Sequence, residues 1–412
     1  MGVVDLLTST RCEDLSSPVV PQLSYLFEYV LSPVYKYAAS LYPTTWTPNK
    51  VTLTGIFATV VSSLLLLTAM PLNTFFEPPF ATFVPGSYFL IKSPKWMDAP
   101  GPSPLYPSML QPYFNSVFTP TSMLLLCGFL NLIYCVADNT DGCLARRLKK
   151  TSNIGEYLDH GLDCVTSLMS TCVSMSVLGF SFSNVAVTTA LVALPTILSH
   201  TLHYEKNIFI WGNRFVSVDE AMLFFFLTSW ISLMFPNVGK ATFSPALLNA
   251  VLPESWARQL IPLRCIDAGL VVCWISQCFV LVNIGAKSKS MFLRLPTIML
   301  VLNLALLLAI IPCHAVHIEK GGYGTYTLGP FSYVALWIIT MACTCSSIVH
   351  IPIYAHCAKL PQTDPLPLAG VILVCLIFVS CPPTAAVLAV VCHVGQIWWN
   401  VRNLEGSVRK VE

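Results

Sequence analysis

Apolar runs of about 20 residues, the length a helix needs to cross a bilayer, recur along the whole chain. Ten are expected at 51–70, 116–137, 154–180, 183–202, 219–236, 265–285, 292–313, 331–352, 366–381 and 383–400. Only helices and closed barrels satisfy their own backbone in lipid. The chain therefore reads as an all-α polytopic membrane protein with about ten transmembrane helices. The last two segments are short enough for a single re-entrant hairpin, but Cys381-Pro382-Pro383 reads as a tight turn between two spans. Composition agrees: 10% of residues are charged and the net charge is +2, against about 25% charged in soluble domains. That balance gives no case for a nucleic-acid partner.

The flanks carry less chemistry. SYLFEYVLSPVYKYAASLYP (24–43) mixes aromatics with Glu28 and Lys36 and predicts an interfacial helix within residues 1–46, broken near Pro33. Thr47-Pro48 predicts a helix start. Eleven prolines between Pro71 and Pro120 predict an irregular loop outside the membrane over 71–115. The expected organisation is 1–46, a first helical unit at 47–236, a second at 237–400, and a tail at 401–412. MGVVDLLTST has no basic stretch leading into an apolar one, so no cleaved signal is expected. Gly2 lacks the Ser or Thr that a myristoylation signal wants. With both termini in the cytosol, 16 of the 22 Lys and Arg residues fall on the cytosolic side, the orientation that the positive-inside rule favours. Most of the 16 cysteines lie in apolar runs and read as small packing residues.

One stretch breaks the apolar pattern. DNTDGCLARRLKKTSNIGEYLDHGLD (138–163) holds five of the 20 acidic residues between two apolar segments. Asp138 and Asp141 are three apart, and Asp159 and Asp163 are four apart; each pair shares a helix face. A short loop between antiparallel helices would bring the pairs together. Four carboxylates at low dielectric repel strongly and call for cations among them. All-oxygen ligands suit Mg²⁺, Mn²⁺ or Ca²⁺, and Mg²⁺ commonly shares its shell with substrate phosphates. Gly142, Ala145 and Gly155 would admit a ligand close to the backbone, and Arg146 can fork onto a phosphate.

The stretch resembles the CDP-alcohol phosphotransferase signature DxxDGxxARx8GxxxDxxxD. Asp138, Asp141, Gly142, Ala145, Arg146, Gly155, Asp159 and Asp163 occupy every fixed position. GEYLDHGLD (155–163) is similar to the GELFDHGCD of the choline/ethanolamine phosphotransferase branch. TPNKVTLTG (47–55) and WGNRFVSVDE (211–220) are looser echoes of that branch. The second has Ser217 in place of an acid, which leaves the role of Glu220 open.

The resemblance implies transfer of phosphocholine or phosphoethanolamine from CDP-choline or CDP-ethanolamine to diacylglycerol, with release of CMP. This would be the last step of phosphatidylcholine or phosphatidylethanolamine synthesis. It implies an integral membrane enzyme of the endoplasmic reticulum or Golgi, with a cytosolic site and a homodimeric state. Asp138, Asp141, Asp159 and Asp163 would hold two Mg²⁺ or Mn²⁺ ions; Gly142, Ala145, Arg146 and Gly155 would frame the nucleotide. His160 is the expected base, oriented by Glu156 one turn earlier, with Asp163 as the alternative base. His200, His203 and Glu205 are expected at the interface, with head-group contact as the alternative. Asp267 is also expected at the interface, and Trp398 and Trp399 in an aromatic belt. The competing functions are a phosphotransferase using CDP-diacylglycerol, such as phosphatidylinositol synthase, and a divalent-cation transporter.

Overall fold

The computed structural model describes residues 24–69, 120–178, 182–212, 218–235, 265–288, 292–319, 333–360 and 366–408, with a few positions between. The terminal segment with Gly2, the 71–115 loop and Ser217 lie outside these residues. The helices are α1 (Ser32–Leu41), α2 (Pro48–Ala69), α3 (Pro120–Leu148), α4 (Asn153–Val177), α5 (Phe182–Lys206) and α6 (Val218–Met234). They continue as α7 (Cys265–Lys287), α8 (Leu295–Glu319), α9 (Tyr333–Ala358), α10 (Leu366–Ser380) and α11 (Pro382–Val408). Among the described residues there is no β-strand beyond one isolated bridge, Leu328 with Phe331.

The protein is an all-α integral membrane protein. Each expected apolar segment is helical, and six of the helices are long and apolar enough to cross a membrane: α2, α3, α5, α7, α9 and α11. The apolar stretches within α8 and α10 are shorter. Helix α4 carries Glu156, Asp159 and Asp163, yet its 162–176 side is almost continuously buried by its neighbours. Exposed apolar side chains line α7 (Val271, Val272, Phe279), α10 (Leu373, Leu376) and α11 (Val390, Val391, Val394). Such a belt suits lipid.

Three departures from expectation have local causes. The N-terminal helix does not break at Pro33. A π-helical turn, Phe27–Leu31, runs straight into α1, and Ser32 N–H bonds back to the Phe27 carbonyl. The wider turn absorbs the hydrogen bond that proline cannot donate. Helix α3 does not stop near residue 137 but runs on to Leu148. Leu144 is fully buried in a cluster with Val51 and Ala137, and Arg146 and Arg147 complement the helix C-terminus. The helix ends where Lys149 turns left-handed (φ 54°) and Lys150 N–H reaches the Ala145 carbonyl at 2.9 Å. Asp267 does not lie open at an interface but is buried in the first turn of α7.

Helix α9 is the pillar of the second half. It packs against α4, α5, α8, α10 and α11, and nearly every side chain from Tyr333 to Cys357 is buried. Its Met341-Ala342-Cys343-Thr344-Cys345-Ser346-Ser347 run is mostly small. In lipid, where burial itself gives little drive, small residues let helices approach closely. The first half closes similarly. A Cβ on Gly55 of α2 would stand 2.7 Å from Ala137 Cβ of α3. Helices α10 and α11 pack on each other across the single residue Cys381, consistent with the expected tight turn.

Candidate active site

Helix α4 opens with a built N-terminus. Ser152 is the N-cap, and its hydroxyl accepts from Gly155 N–H at 3.1 Å. With α3 ending at Leu148, the connection is a four-residue turn, 149–152. Asp138 then lies about 15 Å below the end of α3, and Asp159 about 9 Å below the start of α4, at 1.5 Å per residue. Asp138, Asp159 and Asp163 each offer a carboxylate oxygen, all within 4.8 Å of one another. Such a donor set fits a hard divalent cation.

Asp141 is not part of that trio. It is buried and accepts hydrogen bonds from the Thr52 hydroxyl of α2 and, at 2.5 Å, from its neighbour Gly142 N–H. Asp163 is oriented by Tyr134, whose hydroxyl donates to Oδ1 at 3.2 Å and lies 3.1 Å from the Thr166 hydroxyl. Tyr134 is one turn before Asp138 on α3, so that helix supplies both a carboxylate and the donor that positions its partner.

The small residues have specific neighbours. Arg146 folds back over Gly142; a Cβ there would stand 3.5 Å from a guanidinium nitrogen. Arg146 is exposed, Ala145 partly so. A Cβ on Gly155 would stand 3.2 Å from Asn49 Oδ1. The glycine thus leaves room for Asn49 at the N-terminus of α2. Asn49 and Thr52 belong to TPNKVTLTG, a signal already visible in the sequence but not assigned to the site.

His160 occupies the same helix one residue from the trio. Its ring stacks on Phe209, with centroids 5.0 Å apart and planes 13° apart. The Phe209 segment is tied to α5 by Ser199, whose hydroxyl donates to the Ile210 carbonyl at 2.6 Å and accepts from Ile210 N–H at 3.0 Å. Trp211 meets Phe209 edge-on at 4.9 Å. Glu156 does not hydrogen-bond to His160. Its carboxylate lies 3.5 Å from His356 Nε2 of α9, because α9 ends beside the first turn of α4. It still stands within 4.8 Å of ligand atoms of both His160 and His203.

One of the side chains expected at the interface, His200, sits elsewhere, and Glu205 has a specific partner. His200 is fully buried, 5.5 Å from His160 ring to ring. Glu205 is held by Arg294, with a contact of 2.5 Å. Glu220 accepts from the Ser24 hydroxyl, pinning the segment before α1 to α6. His356 and His350 carried no sequence signal; they come from α9, outside the motif, and only the packing brings them in.

Residues 108–257 match the CDP-alcohol phosphatidyltransferase family, a range that contains the whole 138–163 signature. The chain is 24% identical to Ethanolaminephosphotransferase 1 of Homo sapiens over 241 residues, 57% of this chain and 50% of that protein. It is 26% identical to Choline/ethanolaminephosphotransferase 1 of Saccharomyces cerevisiae over 160 residues, 39% of this chain and 30% of the other. It is 35% identical to CDP-diacylglycerol--serine O-phosphatidyltransferase of Encephalitozoon cuniculi over 66 residues, 16% of this chain and 17% of the other. The chain spans about half the length of the first of these relatives.

Proposed function

We propose, from the match of residues 108–257 to the CDP-alcohol phosphatidyltransferase family, that the chain transfers phosphoethanolamine or phosphocholine from its CDP ester to diacylglycerol. The observation that carries the reading is the shared face of α4. Asp159 and Asp163 meet Asp138 of α3 there, and His160 follows Asp159 on the same helix.

Asp138, Asp159 and Asp163, with Asp141 behind Thr52, would hold Mg²⁺ or Mn²⁺. When bound, two such ions neutralise a diphosphate and its leaving phosphate. Arg146, beside Gly142, offers its guanidinium to the nucleotide phosphate. His160 takes the proton of the acceptor hydroxyl. That oxygen forms a bond to the phosphorus bearing the alcohol head group. The bond from that phosphorus to the bridging oxygen breaks, and CMP leaves with the electron pair. Phe209 fixes the imidazole plane, which favours proton transfer in one direction. Asp163 as base is less well supported, because Tyr134 and the carboxylate trio already engage it.

Phe209 and Trp211 give the site an aromatic wall beside His160, which suits a cationic head group. The names of the human and yeast relatives favour ethanolamine or choline over the serine chemistry named for the microsporidian one. The fixed glycine, alanine and arginine positions have a use in a nucleotide site and none in a cation transporter. The reading includes about ten spans, a catalytic unit at 47–236 and a homodimer. It places the enzyme in the endoplasmic reticulum with its site facing the cytosol, where soluble CDP-alcohols would meet it.

The test is CMP release by purified protein in detergent with diacylglycerol and Mg²⁺ or Mn²⁺. CDP-ethanolamine, CDP-choline, and CDP-diacylglycerol plus inositol are supplied in turn. Turnover with either of the first two is expected, and turnover with only the third overturns the reading. His160→Ala is expected to abolish turnover while CDP-alcohol binding survives. Equal loss of binding would remove the base assignment.

A further inference from the structure

Beside the aspartates lies a second cluster of different chemistry. Glu156 and His160 are one helical turn apart on α4, and His203 reaches them from the last turn of α5. Their ligand atoms are mutually within 4.8 Å. His356, in the last turn of α9, stacks on His203 with centroids 3.9 Å apart and contacts Glu156 at 3.5 Å. Three imidazoles and one carboxylate thus converge from three helices. A cavity of about 260 Å³ lined by Asn153, Glu156, Tyr204, His356 and Lys359 adjoins them. Six waters at about 30 Å³ each occupy about 180 Å³, so a hydrated ion fits.

We propose that Glu156, His160, His203 and His356 form a transition-metal site, distinct from the aspartate site and selective for Zn²⁺ over Mg²⁺. Neutral imidazoles with a single carboxylate suit a borderline-soft tetrahedral ion, whereas an all-carboxylate set suits a hard one. Zn–N bonds of about 2.0–2.1 Å put tetrahedral ligand atoms about 3.3 Å apart. Glu156, His160 and His203 start within 4.8 Å of one another, and His203 and His356 sit in the last turns of their helices. Zinc bound there would hold the His160 lone pair and inhibit transfer, and added Mg²⁺ would not relieve it. That inhibition, unlike the binding, rests on His160 being the base.

The test uses the full chain in detergent with Mg²⁺ in excess, titrated with Co²⁺ as a spectroscopic substitute for zinc. A four-coordinate nitrogen-rich site gives intense visible bands; a six-coordinate all-oxygen site gives faint ones. Intense bands saturating at one equivalent and bleached by Zn²⁺ are expected. His203→Gln and His356→Gln, on separate helices, should each weaken binding at least about 100-fold, beyond the loss from disturbing an outer partner. Asp138→Asn should keep the bands. Absence of bands in the parent, or their survival in both histidine variants, overturns the site. Full turnover in protein whose bands show the site filled instead overturns His160 as base and leaves the site standing.

Discussion

Gly161→Ala sets two effects of opposite sign against each other at the centre of the proposed site. In an open helix interior, replacing glycine by alanine stabilises by about 1 kcal/mol. Gly395 on α11 is such a place, with nothing within 4 Å of the position its Cβ would take. At Gly161 the new Cβ would overlap the His350 ring, lying 2.9 Å from its Nδ1 and in still closer contact with Cε1. That ring cannot retreat. It is fully buried, with Tyr157 at 5.2 Å on one side and His393 at 5.1 Å on another. Helices α4 and α9 must therefore part, at a cost of about 1–3 kcal/mol for overpacking. Relative to Gly395→Ala, Gly161→Ala should be less stable by that amount in reversible unfolding in detergent. The chemical consequence should be larger. Parting α4 from α9 moves His160 and Asp159 away from the groups on α5 and α9. A displacement of about 1 Å costs on the order of 100-fold in rate. Adding His350→Ala should restore the space, giving a coupling of about 1–3 kcal/mol in a double-mutant cycle. If the two Gly→Ala variants shift stability equally, or the coupling is zero, the packing argument for this glycine is wrong.

Other variants test the shell around the acids. Thr52→Val keeps the shape but removes the hydroxyl on Asp141, and should raise the Mg²⁺ or Mn²⁺ concentration for half-maximal activity about 10–100-fold. Tyr134→Phe should act similarly through Asp163, with its melting temperature reported alongside to show that the fold persists. Glu205→Gln breaks only the pair with Arg294 and should change stability by less than about 1 kcal/mol; a large loss of head-group affinity would return Glu205 to the site. Lys359 and Lys149 follow α9 and α3 with φ of 54°. Replacing either by glycine should stabilise by about 1 kcal/mol, read as a higher melting temperature, because a Cβ in the left-handed region costs that much.

The division between what the sequence disclosed and what it hid follows from range. Periodicity and hydropathy are local, so the helices α2–α11 were legible, as were the carboxylate pairs, whose spacing is set within a single helix. Helix ends were less so. The extension of α3 to Leu148 depends on Leu144 meeting Val51, a contact between residues nearly a hundred positions apart. The partners of the acids were hidden for the same reason. Thr52 and Tyr134 reach Asp141 and Asp163 only after α2, α3 and α4 have packed, and a lone Thr or Tyr in an apolar segment has no signature of its own.

The histidines make the same point more sharply. His160 drew attention because it sits inside a motif, with Glu156 one turn away to orient it. The structure gives Glu156 to His356, whose position in the chain is two hundred residues later. A dyad legible in one helix becomes a cluster fed by three, and the second half of the chain, silent in motif terms, contributes to it. This also accounts for the small residues of α9. Ala342 to Ser347 let that helix lie close against its neighbours, and that approach carries His350 onto Gly161 and His356 onto Glu156. The glycine of Asp159-His160-Gly161 is then a packing requirement imposed by α9 on the helix that holds the chemistry. Substitutions along α9 that widen this contact should impair transfer without touching any group that meets substrate.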